Sequence, residues 1–352
     1  MTHRDVCRAA LLSCLCAALF LSPASNARAG EDGGKTPERR PTGRNEVPGM
    51  LHFPTGLIPV TDLGLGKYKG EEGGLYGEGK NEPPEALIKL AQKALARIKP
   101  LDAEGRPAEN GKVALISVGM SNTTEEFSTF VPLAMASSEK APHVLVVDTA
   151  QGARTAEAWA TSARAGSRSS GGGTVWDEAN RRIQAAGASP RQVQAVWIKV
   201  AGSIRKQFPD SAREFQGHLA AIAATARTHY PNLQVAYFTS RIYAGYATGS
   251  LNPEPWSYET AFGIRWVIRQ QLDGDPTLNA DPERGEVKAP VLLWGPYLWA
   301  DGTKPRSDGM VWKREDLAAD GIHPSPSGRQ IVARELLKFF TTDPLAKPWF
   351  AR

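Results

Sequence analysis

Apolar and polar positions fall into a regular alternation only from Lys112 onward. Val113-Ala114-Leu115-Ile116-Ser117-Val118-Gly119 is an almost unbroken apolar run, the pattern of a strand covered on both faces. Similar runs lie at Val144 to Asp148, Val193 to Val200, Gln234 to Thr239 and Pro290 to Gly295. Between and after them come stretches of helical character: from Thr123 to about Ser137, Trp176 to Ala186, Ser211 to His229, Tyr258 to Leu272 and Ser327 to Phe340. An earlier amphipathic stretch, Pro84 to Ile98, has its apolar residues at helical spacing and a proline at its start. Five strands alternating with helices predict an α/β fold, a three-layer α/β/α sandwich on a mainly parallel five-stranded sheet.

The first 110 residues do not share this rhythm. Arg4 and Arg8, an apolar run from Ala9 to Leu21 and the small-x-small triplet Ala27-Arg28-Ala29 predict a signal peptide over 1–29. Cleavage near Ala29/Gly30 would deliver a secreted or periplasmic protein. A competing reading makes Cys14 a lipidation site; the apolar residues continuing past it favour cleavage further on. Gly30 to Gly49 is polar and rich in Pro and Gly, an arm without a core of its own. Residues 30–110 as a whole predict an arm and a wrapped extension with one helix, ahead of the α/β domain over 111–345.

Composition narrows the chemistry. All three cysteines (Cys7, Cys14, Cys16) fall in the leader, which excludes disulfides, thiolate catalysis and cysteine-held metal from the remainder. Removing the leader leaves 39 basic against 36 acidic residues, without a dense Lys/Arg run, so no nucleic-acid partner is expected. The apolar run of the leader is too short for a comfortable membrane span. Of the 352 residues nine are Trp, mostly in the second half; Trp serves either as core or as a stacking surface for sugars and apolar ligands.

Three places carry candidate chemistry. Asp320-Gly321-Ile322-His323-Pro324-Ser325 puts an acid three residues before a histidine on one tight loop, as needed to hold an imidazole in one tautomer. His52, His143, His218 and His229 lack that context. Ser121 follows the first strand through Gly119-Met120, where its hydroxyl and N–H can meet developing negative charge. The plainer alternative is a helix cap, since Ser121, Asn122 and Thr123 all cap well and Thr123 to Glu126 resembles a capping box. Gly152, after the second strand, can offer a second N–H; an ordinary loop glycine is the alternative. No Gly-x-Ser-x-Gly elbow is present, which argues against the α/β-hydrolase solution.

Taken together, Gly119-Met120-Ser121-Asn122, Gly152 and the Asp320–Ser325 block resemble the SGNH/GDSL hydrolase superfamily in order and spacing over about 112–340. The resemblance implies a flavodoxin-like sandwich and ester hydrolysis without metal or other cofactor. Ser121 would be the nucleophile, His323 the base and Asp320 its orienting acid, with the Ser121 and Gly152 N–H groups in the oxyanion hole. Two departures stand out. Met120 replaces the usual Asp, and no Asn occupies the third block, where Val196 to Ala201 reads Val-Trp-Ile-Lys-Val-Ala. Asn122 or Lys199 is the candidate replacement donor. Arg241, Tyr243 and Trp299, on loops after the fourth and fifth strands, are candidate substrate contacts. The expected activity is that of an exported serine esterase acting on a small acyl ester, first an O-acetyl group on a carbohydrate. A lipid or aryl ester is the alternative within the enzyme class. A noncatalytic glycan- or surface-binding protein on the same fold is the alternative outside it. A redox or nucleotide-binding flavodoxin-like protein is disfavoured by the lack of a Gly-rich phosphate loop after the first strand.

Overall fold

The computed structural model describes residues 50–161, 173–202 and 206–352. The leader, the arm up to Gly49 and most of the Ser/Gly/Arg-rich stretch after Thr161 lie outside the described residues. The extension forms a two-residue hairpin, β1 (Lys67–Tyr68) and β2 (Glu71–Glu72), then helix α1 (Glu85–Leu95). The main sheet is built from β3 (Val113–Gly119), β4 (Val144–Val147), β5 (Val193–Lys199), β6 (Val235–Phe238) and β7 (Val291–Trp294). These are the five runs read from the sequence, each within a residue or two at its ends. Every adjacent pair is parallel, and the order is β4-β3-β5-β6-β7. Counted along the chain this is the 2-1-3-4-5 order of flavodoxin-like folds, whose ligands lie where the order reverses. That switch point falls between β3 and β5.

The helices are α2 (Ser121–Ala136), α3 (Ala156–Thr161), α4 (Val175–Ala185), α5 (Asp210–His229), α6 (Trp256–Leu272), α7 (Pro326–Thr342) and α8 (Lys347–Phe350). Right-handed crossovers put α2 on one face and the helices between β4 and β7 on the other. In keeping with this, α2 packs on α7 and α7 on α8, while α5 packs on α3 and α6. Both faces of the sheet are thereby covered, and every residue of β3, β5, β6 and β7 is buried, as their continuous apolar composition requires. The tryptophans belong to this core: Trp159, Trp176, Trp197, Trp299 and Trp312 are fully buried. Trp294 and Trp349 are nearly so, which removes them as sugar-stacking rings on loops.

The extension is fastened to the C-terminal half of the chain. Asp301, buried, accepts from Thr55 N (3.1 Å), Thr55 Oγ1 (2.5 Å) and Gly56 N (3.0 Å). Tyr258 Oη donates to the Ile58 carbonyl, Val60 N to Tyr297 Oη, and Trp294 Nε1 to the Leu75 carbonyl. The described residues form one compact unit.

Candidate functional site

Helix α2 starts at Ser121, two residues earlier than the capping pattern suggests, with Met120 at the cap position and no side-chain cap bond. Gly119 allows this sharp exit from β3: a Cβ there would overlap the Lys199 carbonyl and the Thr123 hydroxyl. The Thr123–Glu126 capping box is not formed. Thr123 Oγ1 donates instead to the Lys199 carbonyl on β5, and Glu126 faces the core. Ser121 is thus freed from a capping role, and its N–H lies in the first turn, where no intrahelical acceptor exists.

The Ser121 hydroxyl lies 2.8 Å from His323 Nε2. His323 Nδ1 lies 2.5 Å from Asp320 Oδ2. The other oxygen of Asp320 accepts the N–H groups of Ile322 (2.9 Å) and His323 (3.0 Å), so one short turn fixes both acid and imidazole. Gly321 takes φ +70° at the tip of that turn and abuts the Tyr246 carbonyl, where a Cβ would overlap. Burial works to raise Asp320, but the bond from His323 and the two backbone N–H groups outweigh it, and the carboxyl sits below its ordinary range. An ionised Asp320 can hold a proton on His323 Nδ1, an arrangement in which Nε2 is free to accept one from Ser121. The tautomer follows from the partners.

A second network sets the loop carrying Gly152. Asp148, at the end of β4, accepts from Ser117 Oγ (2.5 Å) and from Thr124 Oγ1 in the first turn of α2. Ser117 Oγ in turn accepts Thr149 N (3.0 Å) and Ala150 N (3.1 Å). Gln151 N donates to the Gly119 carbonyl (3.1 Å). Gly152 follows directly and is exposed, and no hydrogen bond from its N–H is found among the described residues. Ser117 and Asp148 are not among the candidates read from the sequence. A lone hydroxyl in an otherwise apolar buried strand is the signal that pointed to them.

The two candidate replacement donors are both engaged elsewhere. Asn122 Nδ2 donates to the Ile322 carbonyl (2.9 Å), bracing the histidine turn. Lys199 Nζ reaches both oxygens of Glu126 (2.8 and 2.7 Å) in a fully buried pair. Burial pushes the Lys199 ammonium down to about 8 and the Glu126 carboxyl up. Of the expected substrate contacts, Arg241 is 2% exposed and Tyr243 and Trp299 are 0% exposed. Trp299 Nε1 donates to Glu254 (2.8 Å), and Tyr243 packs edge-on against Trp299. All three stand beneath the surface rather than on it: loop position located them near the ligand end of the sheet, but packing claimed their side chains.

No family model and no curated protein matches the sequence. Among solved structures, the chain is similar to a carbohydrate esterase family 3 protein from Talaromyces cellulolyticus, at 13% identity and a TM-score of 0.34, over 64% of this chain and 94% of that one. It is also similar to the salicylyl-acyltransferase SsfX3 of a tetracycline biosynthetic pathway, at 13% identity and a TM-score of 0.33, over 68% of this chain and 58% of that one.

Proposed function

We propose that this chain is a serine esterase that takes a small acyl group onto Ser121 and passes it to water. The observation that carries this reading is the continuous hydrogen-bonded series from Ser121 through His323 to Asp320. As Oγ attacks the ester carbonyl, its proton moves to His323 Nε2, and the tetrahedral oxyanion forms opposite the N–H groups of Ser121 and Gly152. Collapse breaks the bond to the alcohol oxygen, which leaves with the proton from Nε2. Water then attacks the acyl-enzyme, giving its proton to Nε2, and the acid departs as Oγ regains its hydrogen.

The substrate class we assign is an O-acetyl ester on a carbohydrate. In support, the site is open, with the Asp320 side chain 41% exposed, and the loop carrying Gly152 exposes Arg154, which suits a short acyl group on a hydrophilic alcohol. The leader pattern adds an exported location to this proposal. A noncatalytic glycan-binding protein is the second reading. It is favoured by the engagement of Asn122 and Lys199, which leaves two backbone donors for the oxyanion. A fluorophosphonate probe decides between them: a serine activated as described is labelled at Ser121, and an unlabelled wild-type protein overturns the esterase.

A further inference from the structure

Phe53 is a large apolar ring left 40% exposed on a segment that is otherwise pinned. Leu51 N donates to the Glu254 carbonyl (2.9 Å) and Phe53 N to the Gly245 carbonyl (3.0 Å), while Thr55 and Gly56 are clipped to Asp301. The ring lies against Tyr246, with centroids 4.9 Å apart and planes 31° apart, and meets buried Tyr243 edge-on at 6.4 Å. Gly302, at φ +59°, completes the seat, since a Cβ there would overlap the Phe53 ring. An aromatic face held this rigidly has already lost the conformational freedom that binding would otherwise remove.

The shelf is bolted to the proposed catalytic turn. The Tyr246 carbonyl abuts Gly321, and Thr248 N donates to the Asp320 carbonyl (3.0 Å). The position of the shelf also says which part of a substrate meets it. His323 Nε2 must hand its proton to the leaving oxygen, so the alcohol portion lies on the histidine side of the acyl carbon. Tyr246, on which Phe53 rests, touches the turn that carries His323 through its backbone carbonyl, and an acyl group small enough for the proposed reaction does not extend that way.

Resting on the esterase reading above, we propose that Phe53, carried by the N-terminal extension, is a substrate-binding residue whose exposed face stacks on the sugar ring of the alcohol portion. Pyranose rings present an apolar C–H face suited to such a platform, and aromatic contacts of this kind are worth roughly 3- to 10-fold in affinity.

The test compares kcat/KM for an acetylated pyranoside with that for ethyl acetate, which has no ring. Phe53→Ala should lower the pyranoside-to-ethyl ratio roughly 3- to 10-fold, mainly through KM. Phe53→Tyr should restore the ratio, and Phe53→Leu, which keeps apolar bulk without a flat face, should not. Leu65→Ala, on the same extension and 71% exposed, serves as the control and should leave the ratio alone. An unchanged ratio in Phe53→Ala, full recovery by Phe53→Leu, or an equal fall in Leu65→Ala would each overturn the proposal. So would a fall confined to phenyl acetate. Labelling of the wild-type protein at Ser121 reports on the esterase reading separately, so the two failures are distinguishable.

Discussion

Asn122 donates its side-chain amide to the carbonyl of Ile322, 2.9 Å away, and so ties the residue next to Ser121 to the residue next to His323. The bond crosses the gap between proposed nucleophile and base from behind, where both groups are buried. Asn122→Ala should therefore cost about 1–3 kcal/mol, since it strands a buried carbonyl. It should also lower kcat more than it raises KM, because His323 loses its brace. Asn122→Asp, which turns a carboxylate oxygen toward that carbonyl, should be worse than Ala on both counts. Equal kcat in all three proteins would remove the bracing role.

Ser121→Ala and His323→Ala should each leave a folded protein whose ester turnover is down by about 10⁴-fold or more, and Asp320→Asn should fall by a comparable factor. The double substitution of Ser121 and His323 should be scarcely worse than either single one, as expected of residues that act as a unit. Additive losses in the double variant would contradict this.

Gly152 separates backbone chemistry from side-chain space. A Cβ at this position meets nothing within 4 Å, so Gly152→Ala should keep the fold and the N–H. Gly152→Pro deletes the N–H and should reduce turnover by a further 10²–10³-fold, roughly the value of one oxyanion donor. Thermal unfolding of both variants checks that the loop has survived.

The Lys199–Glu126 pair is expected to matter for stability and not for oxyanion binding. Lys199→Met leaves Glu126 buried without a cation and should cost about 3–5 kcal/mol in denaturant unfolding. Adding Glu126→Leu should recover most of that loss. If Lys199→Met instead spared stability and removed activity, the ammonium would belong to the site.

Glu254 gives the protein a pH dependence of stability. Fully buried, it accepts Ala244 N (2.9 Å), Tyr258 N (3.0 Å) and Trp299 Nε1 (2.8 Å), yet burial outweighs these bonds and pushes its carboxyl up to about 7. A folded-state value above the unfolded one means that the native protein holds this proton longer. The associated stability is complete below about 4.5, the ordinary glutamate range, and is lost as pH rises through 7. Glu254→Gln should accordingly gain on the wild type as pH rises across that window; parallel stability curves would show that Glu254 does not titrate there.

What was legible in the chain follows from what a one-dimensional pattern can carry. The five strands were readable because a parallel sheet covered on both faces demands unbroken apolar runs; Ser121 and Gly152 stand just after such runs, and Asp320 and His323 just before the closing helix. Helices α3 and α8, of six and four residues, are too short to establish a period. Lys199 falls at the end of its strand and Arg241 on the loop after β6, as read, yet the sequence does not show how either side chain is buried. Glu126 held the clue: it lies on the same helical face as buried Thr123, Phe127 and Phe130, where an acid needs a cation, and Lys199 supplies one. The alternation of α2 therefore already argued that Lys199 was spoken for.

The separation of 202 residues between Ser121 and His323 has a consequence for synthesis. While the chain is still emerging, β3 and the start of α2 can exist for some time before the Asp320–His323 turn has been made. On the proposed mechanism the serine has no base during that interval, and a chain interrupted before residue 320 stays chemically silent however well its first half has folded. The proposed reactivity would then arrive late and all at once, when α7 docks against α2 and the two ends of the domain close on each other.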